Sequence, residues 1–172
     1  MKFFKIFVAL LVTTISIAKA QFTKAELQVS GLTCSMCSNA TEKSLRKLDF
    51  IGDIKTDLNR NLFIITFKKD APVNLDQISQ KVQSAGFSVN SLKATFNFSN
   101  IKVSNNYHFN YNGTLYDFLN VGDKTLDGPV TVTVLDKNFV PASTYKKYAA
   151  MADVPCYKTG IMNGSRVYHV TI

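Results

Sequence analysis

Tryptophan is absent from this 172-residue chain, and histidine occurs only twice. Those two, His108 and His169, lie away from any obvious nucleophile, and there is no glycine-rich phosphate loop. Hydrolytic and nucleotide chemistry therefore have no support, and no enzyme is expected. No long apolar run follows Ile17, so the mature chain is expected to lack a transmembrane span. Charge of one sign is not concentrated anywhere. Nine basic and seven acidic residues lie from Lys24 to Leu92, and eight and five beyond it, a solvated surface that is no nucleic-acid footprint.

The first twenty residues have their own composition. Lys2 and Lys5 precede an apolar stretch from Ile6 to Ile17 that ends at Ala18-Lys19-Ala20, the pattern of a secretory signal peptide with cleavage expected after Ala20. Its apolar run of about a dozen residues falls short of the roughly twenty that cross a bilayer. Cleavage would remove three lysines and no acid, lowering the net charge from +8 to +5. The residue directly after that point is Gln21 and not cysteine, which argues against a lipid anchor. Tracts beginning at Asn39, Asn97, Asn112 and Asn163 match glycosylation acceptors. A glycan at Asn39 would crowd the loop described next, so secretion into a bacterial periplasm is the expected setting.

Three cysteines are present, an odd number for an exported protein. Two form Cys34-Ser35-Met36-Cys37. A disulfide between them would close almost no loop and so stabilise little. Metal binding or thiol redox exchange explains the spacing better.

From Ala25 to Leu92 the apolar pattern switches between strand and helix periods. Leu27 and Val29 mark a strand that enters the loop Gly31-Leu32-Thr33-Cys34. Cys37, Ala40, Thr41, Ser44, Leu45 and Leu48 fall on one helical face. Ile54, Thr56 and Leu58 alternate in a second strand, and the turn Asn59-Arg60-Asn61 leads to a third, Leu62 to Phe67. Asn74 caps a helix striped by Leu75, Ile78, Val82 and Ala85, with Gln77 as reciprocal partner and Gly86 as its end. Phe87 to Leu92 completes a ferredoxin-like βαββαβ unit of α+β class. Residues 93–172 read as a small β-rich domain, with strands at Ala94 to Phe98, Tyr107 to Tyr111, Thr114 to Phe118, Val130 to Leu135 and Arg166 to Ile172. Turns are expected at Asn112-Gly113, Asp127-Gly128-Pro129 and Asn163-Gly164, and a helix near Ser143 to Ala152. A small barrel of OB type is one arrangement that would close these strands. The organisation expected is thus 1–20 signal peptide, 21–92 metal-binding domain and 93–172 β-rich domain.

Thiolates form at neutral pH where positive potential favours them, and a cysteine pair entering a helix has unpaired N–H groups and the helix dipole to supply it. Two sulfurs are too few for a structural zinc tetrahedron, and the neighbours Thr33, Ser35, Met36, Ser38 and Asn39 add no carboxylate or imidazole. Cu(I) is satisfied by two thiolates, with a position left open for an incoming ligand.

Gly31-Leu32-Thr33-Cys34-Ser35-Met36-Cys37 within a βαββαβ unit resembles the heavy-metal-associated domain of copper chaperones, copper-transporting P-type ATPases and periplasmic mercury-binding proteins. The resemblance spans roughly Ala25 to Leu92. The usual motif is Gly-Met-Thr-Cys-x-x-Cys, so Leu32 stands in for a buried methionine of similar volume. Phe87 takes the place beside the metal where soluble chaperones often carry Lys or Tyr. The resemblance implies that Cys34 and Cys37 bind Cu(I) and exchange it with a metal-donating or metal-accepting partner, such as a transporter or another chaperone. Hg(II) or Zn(II) scavenging on the same site is the alternative, and a periplasmic thiol redox protein is another. The redox reading is weakened because thioredoxin-like motifs usually carry a Trp before the pair.

Met36 is expected at the surface, contacting a partner. Cys156 reads either as an inert buried thiol or as a ligand, whether for a second soft-metal site or as a third ligand at the first. His108 and His169 read as packed strand residues.

Overall fold

The computed structural model describes residues 21–152 and 154–172. The signal-peptide expectation at 1–20 lies outside the described residues.

The local signals build the first half as read. Strand β1 (Gln21–Ser30) leads to helix α1 (Ser35–Leu45), which buries Ser38, Thr41 and Leu45. Ala40 is exposed and Ser38 takes the inner position, because the face follows the spacing 34, 38, 41, 45. Strand β2 (Ile51–Asp57) runs antiparallel to β3 (Leu62–Phe67). Leu58 falls outside β2, in a 3₁₀ turn that Asp57 caps by accepting from the N–H groups of Asn59 and Arg60. Helix α2 (Leu75–Ser84) begins where the Asn74 side chain accepts from Gln77 N at 3.1 Å. Leu75, Ile78 and Val82 are fully buried against the sheet.

The next strand differs from expectation. Phe87 to Leu92 and Ala94 to Phe98 do not form separate strands, because β4 runs unbroken from Ser88 to Val103. Leu92, Ala94, Phe96 and Phe98 alternate along it and are all buried, so nothing in the apolar pattern breaks it. Its first part pairs with β1 and its later part with β7 (Lys124–Val134). The Gly128-Pro129 turn also lies inside a strand. Pro129 sits opposite Asn97 of β4, while β9 (Ser165–Thr171) pairs only Thr133 and Val134 of β7. Along that stretch β7 is laddered on one side only, the setting in which a strand accommodates proline.

Strands β5 (Tyr107–Tyr111) and β6 (Thr114–Phe118) form the expected hairpin around Asn112-Gly113, both at positive φ. Helix α3 (Ala142–Met151), the short helix α4 (Cys156–Thr159) and the two-residue strand β8 (Ile161–Met162) precede β9. The sheet runs β2-β3-β1-β4-β7-β9-β6-β5, with β8 beside β9. It is open where an OB-type barrel was considered. Both edges of β1 are occupied, by β3 and β4, leaving none for β5. The sheet instead rolls until the Tyr111 hydroxyl accepts from Phe22 N at 3.0 Å. Phe22 stacks on Phe96 and Phe96 meets Tyr116 edge-on through the roll, with centroids 4.6 and 5.0 Å apart. The class is α+β, with a sheet-rich C-terminal half.

Candidate metal centre

The exit from β1 turns at Gly31, whose φ of +89° is open to glycine at little cost. The Leu32 side chain then buries into the core beneath the loop, as expected for a replacement of methionine. This anchors the chain so that Cys34 arrives as the N-cap of α1, in extended backbone, with its sulfur accepting from Cys37 N at 3.4 Å. The two sulfurs lie 2.9 Å apart. Cys34 is exposed and Cys37 half-buried, both as free thiols.

The electrostatics differ between the two. The hydrogen bond between the two thiols, joined by the N–H of Cys37 donating to the Cys34 sulfur, holds the Cys34 thiol below its ordinary pKa. The same bond, followed by desolvation, pushes Cys37 up. Cys34 is therefore the sulfur that ionises first, at the helix N-terminus, and Cys37 retains the shared proton.

Around the pair, a β-carbon placed at Gly31 would lie 3.5 Å from Phe87 Cδ1, which puts Phe87 on the facing loop after Gly86, itself at φ +88°. Met36 is 80% exposed and Leu58 is 51% exposed, so the rim of the loop carries open apolar surface. Glu42, the acid in α1, is engaged elsewhere: Thr56 Oγ1 donates to it at 2.6 Å and Arg46 Nε at 2.8 Å. Those bonds, the Thr56 hydroxyl foremost, hold its carboxyl below the usual range. The site thus offers two soft donors and a wet, open side.

Cys156 is not brought to this loop. It is buried on α4 against His169 of β9, three strands from β1 in the sheet order. His169 is fully buried, as a packed strand residue should be, yet its ring is hydrogen-bonded at both nitrogens. His108 is half-buried on β5. Two acids that the sequence reading passed over, Asp117 and Asp136, are buried beside these residues. The available signal was an aspartate inside the apolar strand Thr114-Leu115-Tyr116-Asp117-Phe118.

Residues 26–88 match the family model described as the heavy-metal-associated domain. The chain is 27% identical over 63 residues to the copper chaperone CopZ of Staphylococcus haemolyticus, covering 37% of this chain and 91% of that protein. It is 34% identical over 65 residues to a probable copper-transporting ATPase of Arabidopsis thaliana, covering 38% of this chain and 6% of the ATPase. The chain spans less than a tenth of the length of the copper-transporting ATPases it matches. Among solved structures, the yeast copper transporter domain Ccc2a is 30% identical with a TM-score of 0.35, covering 39% of this chain and 90% of that one.

Proposed function

Residues 26–88 are a heavy-metal-associated domain, and from that premise we propose that the chain binds one Cu(I) between Cys34 and Cys37 and passes it to a partner protein. The observation that carries this reading is the convergence of two free sulfurs, 2.9 Å apart, at an exposed helix N-terminus with no hard ligand beside them. Metal–sulfur bonds of about 2.3 Å would set two thiolates about 3.8 Å apart in a tetrahedron and about 4.6 Å apart in line, so the sulfurs must part on loading. The exposed Cys34 side chain has room to do so.

Copper is cargo here, and its release follows from the same openness. An incoming thiolate adds to the ion, one of the two resident sulfurs leaves and takes up a proton, and the second exchange completes the handover. Met36 and Leu58 give a partner an apolar rim to dock on, so a soluble chaperone or a transporter domain of similar surface is the partner proposed. CopZ and the copper-transporting ATPases, named for copper, support that choice of ion. Export to a periplasm, proposed from residues 1–20, would make the carrier extracytoplasmic. Among the described residues no helix is long and apolar enough to cross a membrane.

The test is anaerobic Cu(I) titration of the reduced chain against a chelator of known affinity. One tightly held equivalent is expected, lost when Cys34 and Cys37 are both replaced by Ser. Retention of that equivalent by the double variant would refute the assignment. Parallel titrations with Hg(II) and Zn(II) rank the ions.

A further inference from the structure

The rolled C-terminal half holds a second constellation, built by strand register. In the β5–β6 ladder His108 stands opposite Asp117, and in the parallel β6–β9 ladder Asp117 stands opposite His169. The three side chains therefore form one row across three adjacent strands, on a single face of the sheet. Cys156, the first residue of α4, caps that row with its sulfur 3.4 Å from His169 Nε2. His169 Nε2 lies 3.9 Å from Asp117 Oδ2, and His108 Nε2 lies 4.0 Å from Asp117 Oδ1. Ligand atoms of His108, Asp117 and Cys156 all fall within 4.8 Å of one another.

Three polar atoms here lack any partner. His108 Nε2 and both carboxylate oxygens of Asp117 are buried without a hydrogen bond, and Asp117 is fully buried. A buried carboxylate with no partner is unfavourable unless a cation or donor meets it. The surrounding groups are arranged to present lone pairs inward. Asp136 accepts from His169 N at 2.9 Å and lies 2.7 Å from His169 Nδ1; the tautomer that donates from Nδ1 to this carboxylate turns the Nε2 lone pair toward Cys156 and Asp117. Tyr157 covers the histidine, its ring edge-on at 4.9 Å, while the His108 side chain remains 27% exposed and marks the way in.

The geometry points to a second metal site, in which His108, Asp117, Cys156 and His169 hold one borderline divalent cation of the Zn(II) type, with Asp136 orienting His169. Two nitrogens, one oxygen and one sulfur suit such an ion, whereas Cu(I) prefers soft donors alone. The thiolate and the carboxylate together carry two negative charges, which a divalent ion neutralises and Cu(I) does not. Tetrahedral zinc needs ligand atoms about 3.3–3.6 Å apart, so the pairs at 3.9 and 4.0 Å and the His108, Asp117 and Cys156 set, now within 4.8 Å, draw inward on loading. A Cys156–His169–Asp136 nucleophile would use the same histidine, but it leaves the carboxylate of Asp117 and Nε2 of His108 without a role. Cys156 is also only 7% exposed, and burial pushes its thiol up. The site stands apart from the copper loop and does not rest on that reading.

The experiment uses the full chain carrying C34S and C37S, in which Cys156 is the sole thiol. Anaerobic titration with Co(II) is expected to give one equivalent with tetrahedral d–d bands and a thiolate-to-cobalt charge-transfer band, all displaced by one equivalent of Zn(II). Because no residue of the site is altered in that protein, the result does not depend on a variant that fails to fold. Asp136→Asn in the same background is expected to weaken binding about 10–100-fold, as loss of an orienting carboxylate does. Failure of the C34S/C37S chain to bind Co(II), or binding without a thiolate band, would overturn the site.

Discussion

At the scale of single residues the two sulfurs are not equivalent, and the difference sets a pH dependence. Cys34 is lowered and Cys37 raised, chiefly by the one hydrogen bond between them. Between those two pKa values the free site carries one proton, which metal must displace; below both it carries two. Copper affinity is therefore expected to fall about tenfold per pH unit on acidification between the two thiol pKa values, steepening toward a hundredfold per unit below that of Cys34. Chelator competition across pH measures it, and an affinity independent of pH would contradict the thiol–thiolate pair. Gly31 supplies a second prediction. A side chain there meets only an ordinary 3.5 Å contact with Phe87, so the cost of Gly31→Ala comes from the backbone at φ +89°. Denaturation should show a loss of about 1–2 kcal/mol, with the helix start displaced and copper affinity reduced. A neutral substitution would mean that the loop relaxes freely.

Elements couple the two halves in ways that local sequence signals do not carry. Arg166 of β9 donates from Nε and Nη2 to both oxygens of Asp76, in the first turn of α2, at 2.8 and 3.0 Å. The Tyr168 hydroxyl accepts from Asp76 N at 3.1 Å, and Ser79 Oγ donates to Asn138 O at 3.0 Å. The Arg166–Asp76 pair is partly exposed, so a double-mutant cycle with Arg166→Ala and Asp76→Ala is expected to give a coupling of about 1 kcal/mol. A coupling near zero would remove this pair from the account of the interface. The helices were legible because their determinants are local: Asn74 and Gln77 for α2, and Cys34 with Thr41 and Leu45 for α1. The hairpin at Asn112-Gly113 was legible for the same reason. Strand β4 was not, since its fusion across Leu92 and Ala94 depends on β7 arriving to pair it. Pro129 misled because its tolerance depends on a neighbour that pairs only part of β7. The second constellation was hidden most deeply, because the parallel pairing of β6 with β9 joins Asp117 to His169 across 52 positions.

On the scale of the whole molecule, β4 belongs to both halves, and the Phe22, Phe96 and Tyr116 ring cluster crosses between them. The core is therefore shared, and unfolding should be one cooperative event. All seven tyrosines lie from Tyr107 onward, so tyrosine emission arises from the C-terminal half. Its denaturation midpoint should coincide with amide-exchange loss in β3, while separated transitions would show independent units. The two proposed metal sites then differ in character within one folding unit: an exposed pair of sulfurs suited to release, and a buried mixed set suited to retention. X-ray absorption at the copper edge, on the intact reduced chain loaded with one equivalent of Cu(I), tests this division most directly. Two sulfur neighbours and no imidazole nitrogen are predicted; a nitrogen shell around copper would place the ion among His108 and His169 and contradict the assignment to Cys34 and Cys37.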